Sequence, residues 1–121
     1  MTKDEVKRRT HRFALDVIRL VESLPRSRTT EVLAKQLLRS GTSVGANYRA
    51  ACRAKSAADF ISKMGIVEEE ADEASYWMEL LVDSGCARAS EVRALPEEAN
   101  ELLAITVSSI KTARFTRDRN K

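Results

Sequence analysis

A single histidine, His11, and one acidic run, EEEADE at residues 68–73, are the raw material from which catalysis or metal binding would have to be built. Di-iron carboxylate bundles take a Glu-x-x-His pair from each of two helices. One histidine cannot supply that. Metal binding by Glu69, Glu70 and Glu73 is therefore a weaker reading than a solvated face or a salt-bridge network, with Glu70 and Glu73 pairing with Arg39 or Arg49. No Ser-His-Asp or Cys-His arrangement is present, and a lone His11 in a basic segment is not by itself a general base. A nuclease built on His11 and neighbouring arginines ranks last. Cys52 and Cys86 lack the CxxC spacing of a zinc site or redox motif. A helix filling most of the gap between them would hold them roughly 40 Å apart, beyond disulfide reach. The expectation is a nonenzymatic protein with no metal, no cofactor and no catalytic residue.

What remains is cationic. The 121 residues hold 21 Lys/Arg against 18 Asp/Glu, with 43% hydrophobic and 32% charged residues and only four Gly and two Pro. Such a composition favours long helices. Nothing approaches a transmembrane run, and the basic start has no apolar stretch behind it, so the expectation is a bacterial cytoplasmic protein without a membrane partner.

The elements follow from apolar spacing. Val6, Phe13, Val17, Leu20 and Leu24 keep helical steps until Pro25 ends the run. Ser27 and Glu31 open a second segment through Leu33, Leu37, Ser40, Val44, Asn47 and Ala51. Phe60, Met64, Val67, Ala71, Ala74, Met78 and Leu81 alternate steps of four and three, with Ser56 and Asp59 as a capping box and Gly85 as the stop. Pro96, Glu97 and Glu98 begin a fourth, continuing through Ala99, Leu102, Leu103, Thr106, Ile110 and Ala113. The spacing predicts one all-α domain over 1–121, an antiparallel up-down-up-down four-helix bundle with left-handed supercoil. Its helices span about 4–24, 27–53, 56–84 and 96–115, with a disordered tail at 116–121.

The stretch SGTSVGANYRAA, from Ser40, admits three readings. A P-loop needs Gly-Lys-Ser/Thr, and Gly45 is followed by Ala46 and Asn47. A loop would split the second helix and leave a weakly nucleated remnant. A continuous helix is favoured: Gly41 and Gly45 then share one face, each costing about 1 kcal/mol relative to Ala. A neighbour packing against the bare backbone would offset that cost. Asn47 on the apolar side needs partners for its amide and could fix register. Trp77 reads as core or as an oligomer anchor. Gly41, Gly45, Asn47, Glu70, Glu73 and Trp77 are thus the candidate helix-packing and oligomer residues.

The run from Ser40 to Leu81 resembles the bacterial four-helix-bundle proteins first noticed in intervening sequences of 23S ribosomal RNA genes. The resemblance rests on Ser43, Val44 and Asn47; on Ser56, Asp59 and Phe60; and on Glu70, Glu73, Trp77 and Leu80. Phe13 and Leu24-Pro25 extend it over nearly the whole chain. It implies a homo-oligomer, most often a ring-like pentamer. Retroelement accessory bundles, more distant relatives, bind nucleic acid and a reverse transcriptase, which bears on this chain by analogy. This chain departs at Ala50, where relatives commonly carry Glu, and lacks any bond that carboxylate makes in them.

Antiparallel threading would also sort the charge. Residues 1–12, 49–63 and 111–121 would share one pole and carry fourteen Lys/Arg against four acids, leaving seven against fourteen elsewhere. The expected nucleic-acid-binding residues are Lys7, Arg8, Arg9, Arg12, Arg49, Arg53, Lys55, Lys111, Arg114, Arg117 and Arg119, with Tyr48 the nearest aromatic. Helix-dipole compensation and solubility explain some of these cations, but Lys7, Arg8 and Arg9 stand at the wrong end of their helix for that. With few aromatics, RNA or DNA would be bound by backbone and shape, not by sequence. The rival is an adaptor ring that docks a protein partner through its acidic flank.

Overall fold

A computed structural model of the chain describes residues 1–120, and among these no strand forms. Five helices follow one another: α1 (Lys3–Ser23), α2 (Arg28–Cys52), α3 (Ala57–Asp83), a short α4 (Ala89–Val92) and α5 (Leu95–Arg119). Each long helix starts at a residue suited to the task. The Thr2 and Ser27 hydroxyls accept from the backbone N–H groups of Glu5 and Thr30, each at 3.1 Å. Ser56 accepts from the Asp59 N–H at 3.0 Å. The reciprocal bond expected of a capping box is shifted by one residue, since the Asp59 carboxylate accepts from the Lys55 N–H at 3.1 Å. Pro96 occupies the first turn of α5. Its missing N–H costs nothing there.

The stretch from Ser40 to Ala51 is helical throughout, so α2 is continuous across both glycines. Thr30, Ala34, Leu37, Ser40, Gly41, Val44, Tyr48 and Ala51 form its buried stripe. On α3 the buried residues are Met64, Val67, Ala71, Ala74, Met78 and Leu81, with Phe60 half-buried at the start. Phe13, Leu37, Met64, Met78, Leu81 and Leu102 are the largest fully buried side chains. Each contributes about 1.5–3 kcal/mol by leaving water. Helix contacts run α1 with α2, α2 with α3, α3 with α5, and α5 with α1.

Two differences from the spacing-based expectation concern the second half. The connection after α3 contains the extra turn α4, held by the Arg88 backbone N–H donating to the Glu91 carboxylate at 2.9 Å. Arg93, at φ 49°, ends it. The tail expected to be disordered from 116 instead continues α5 to Arg119, while Lys121 lies outside the described residues. After Pro96 the chain has no Gly or Pro to stop the helix.

The register of α5 shapes the molecule's end. Leu20 and Ser23 of α1 border the same cavity as Ser90 and Val92, while Arg9 reaches Glu98 and Glu101. Numbers therefore rise along α5 as they fall along α1. Six residues of α1 precede Arg9, whereas eighteen of α5 follow Glu101. At 1.5 Å per residue, α5 overhangs the start of α1 by roughly 18 Å. Burial agrees, because Ile110 is the last buried residue among those described.

Candidate nucleic-acid interface

The glycines of α2 determine how near α1 can come. A Cβ on Gly41 would lie 2.9 Å from both Cγ methyls of Val17, and one on Gly45 would lie 3.2 Å from Thr10 Oγ1. Any side chain at Gly41 would push the helices apart. One turn beyond Gly45, the close approach brings Arg49 against the outer face of α1. There Lys7, Arg8, His11, Arg12, Leu15, Arg19 and Arg49 line an open groove of about 550 Å³. The α1 members recur at helical intervals, so one face of the helix presents them all.

This groove is electrostatically one-sided. Arg19 pairs with Asp16 at 3.1 Å. Among the described residues Lys7, Arg8, His11, Arg12 and Arg49 have no ion-pair partner. Converging cations without carboxylates create a positive potential that attracts polyanions.

Arg9 departs from the expected site. Its guanidinium turns to the other side of α1 and donates to Glu98, from Nε at 2.9 Å and from Nη2 at 2.5 Å, and to Glu101 at 2.5 Å. The Arg9 hydrogen bonds hold the Glu98 carboxyl below the usual carboxylate range, and the carboxylates raise the guanidinium in turn. Arg9 therefore joins α1 to α5 instead of facing the groove.

Tyr48 departs too. It is buried in the core, and that burial, with a hydrogen bond to Cys52, pushes its hydroxyl up from its ordinary value. It offers no face to a base. The exposed aromatic of this end is Phe115, 65% exposed on the α5 overhang, with the Arg119 guanidinium 5.9 Å from its ring centroid. Lys111 and Arg114 are exposed on the same overhang, and Arg117 pairs with Asp118 at 3.1 Å. Arg53 and Lys55 stand exposed at the turn between α2 and α3, outside the groove lining.

The expected packing residues find their partners within the chain. Arg39 of α2 bridges Glu70 at 3.1 Å and also Glu73 on α3. The Trp77 indole N–H donates to the Glu73 carboxylate at 3.1 Å. Asn47 does not cross to another helix: its amide donates to the Ser43 carbonyl of its own helix at 2.9 Å. Cys52 and Cys86 are free, and no three-residue set able to hold a metal forms among the described residues.

Leu15 and Arg19 join the groove beyond the residues expected from charge at the pole. The row Arg8, His11, Arg12, Leu15, Arg19 carries the signal, because it keeps to one helical face. Phe115 was missed for a related reason. The seam of α5 proceeds from Ile110 to Ala113 and Arg117, which leaves Phe115 on the opposite side.

The family model of the 23S rRNA-intervening sequence proteins matches residues 2–108. A crystal structure of a protein of unknown function, from the S23 ribosomal protein family of Bacteroides thetaiotaomicron, is 37% identical. It superposes with a TM-score of 0.84, covering 92% of this chain and 99% of that one. No curated protein matches the chain.

Proposed function

The chain belongs to the family of 23S rRNA-intervening sequence proteins, and on that premise we propose that it is a nonenzymatic nucleic-acid-binding module. It acts in the cytoplasm as a homo-oligomer, a pentameric ring, whose subunits are left-handed up-down-up-down bundles. RNA is the favoured ligand, on the association of the family with 23S rRNA, and it is gripped by its phosphates without regard to sequence. The observation that carries this reading is the groove where Lys7, Arg8, Arg12 and Arg49 converge with no carboxylate partner among the described residues. Repeating such a groove around a ring would multiply its field. The counterions released from each phosphate would drive binding.

The test is a titration of labelled RNA and DNA with wild type and with a variant carrying K7A, R8A, R12A and R49A. Because Arg8, Arg12 and Arg49 are exposed and Lys7 is only half-buried on the groove wall, the variant should keep its helicity and native mass while losing binding by more than 100-fold. Equal affinity of the two proteins would refute the reading.

A second reading, an adaptor for a protein partner, draws on the outer face of α3. Tyr76 is 52% and Ile66 42% exposed there, among Glu69, Asp72 and Glu79. A partner that stays bound after nuclease treatment, and leaves on Glu68→Lys and Glu69→Lys reversal, would favour it.

A further inference from the structure

Resting on that reading, we propose that the α5 overhang is an arm for single-stranded nucleic acid, with Phe115 as the platform on which a base stacks. The ring is 65% exposed despite the Arg119 guanidinium 5.9 Å from its centroid. It lies on the side of α5 away from the buried row Ala99, Leu102, Thr106 and Ile110, so nothing in the bundle can cover it. Lys111 stands one turn before it and Arg119 one turn after, making a cation–aromatic–cation row along a single helix face.

That row matches a particular ligand. Phosphates running along the helix would meet Lys111 and Arg119, while a base turned inward would meet the ring between them. A duplex hides its base faces in its own stack. A single strand leaves them free, and stacking on an aromatic does not depend on sequence. Residues 111–119 hold four cations against the one acid Asp118, which fits a polyanion. The arm also continues the positive end of the molecule, because α5 runs toward the start of α1, where Lys7 and Arg8 begin the groove. The groove supplies charge common to every nucleic acid, and the arm supplies the preference among them.

The test compares wild type with Phe115→Ala and Phe115→Trp, using labelled oligouridine and an RNA duplex of equal length. Phe115 is exposed, so neither variant should change helicity. The expected results are tighter binding of the single strand by wild type and a loss of about 10-fold for that ligand alone in Phe115→Ala. Duplex affinity should not change. Phe115→Trp should retain the preference, and its added indole fluorescence should be quenched by the single strand and not by the duplex. Unchanged single-strand affinity in Phe115→Ala would overturn the inference, with duplex binding still supporting the groove. Equal loss for both ligands with a smaller native mass would also overturn it and make Phe115 a subunit contact. Wild type binding neither ligand would remove the groove reading and the arm with it.

Discussion

Gly41 and Gly65 sit inside helices and carry the same intrinsic cost, yet their surroundings are opposite. At Gly41 the Val17 methyls occupy the space a Cβ needs, whereas at Gly65 no atom of another helix lies within 4 Å of it. Gly41→Ala should destabilise by about 1–3 kcal/mol through overpacking. Gly65→Ala should stabilise by up to about 1 kcal/mol through helix propensity alone. Thermal melts should move in opposite directions. Helical periodicity identified Gly41 and Gly45 as a close-packing face, because two glycines one turn apart on an apolar stripe have few other uses. It offered no means to see that Arg9 turns away from its neighbours. Which side of α1 an arginine takes depends on Glu98 and Glu101, some ninety residues on. The pair also predicts a pH response. Glu98 titrates lower in the folded protein than in the unfolded chain, so its contribution is complete above the unfolded value, about 4.3, and is lost as pH falls through the folded value. Stability should decline as pH falls below about 4.3, and Arg9→Met should flatten that decline in denaturant titrations.

Helices α1 to α3 were legible because capping residues, apolar steps and stop signals agree with one another. Ser27, Ser56 and Gly85 do in the structure what their chemistry suggests: two accept first-turn N–H groups and the third takes φ +82° beyond α3. Less visible was α4, a single turn with too few residues for any period and a cap supplied by the arginine backbone. At the end of α5 the lack of apolar seam residues suggests disorder, whereas the helix continues to Arg119. A polar helix needs only the absence of breakers and some support from its neighbours one turn away, here Arg119 over Phe115. The overhang should accordingly be dispensable for folding. A chain ending after Lys111 keeps Ile110 and every other buried residue among those described, so it should melt within a few degrees of the full protein. It should bind single strands markedly less well. Cooperative unfolding lost on truncation would show that the overhang packs.

At the scale of the whole molecule, charge placement is what the fold controls. Scattered cations converge because α2 reverses along α1 closely enough to set Arg49 beside Lys7, Arg8 and Arg12, and the glycines permit that distance. Fold class and most of the core could be read from periodicity. The site could be read only in part, because it depends on which faces meet as well as on which residues are charged. The measurement closest to the claim is the dependence of RNA affinity on salt. For wild type, log Kobs against log salt should fall linearly, with a slope of about −0.7 for each phosphate neutralised on a single strand. Replacing Lys7, Arg8, Arg12 and Arg49 with Ala should make that slope shallower by roughly 2–3. The same slope in both proteins, or wild-type affinity indifferent to salt, would contradict the account.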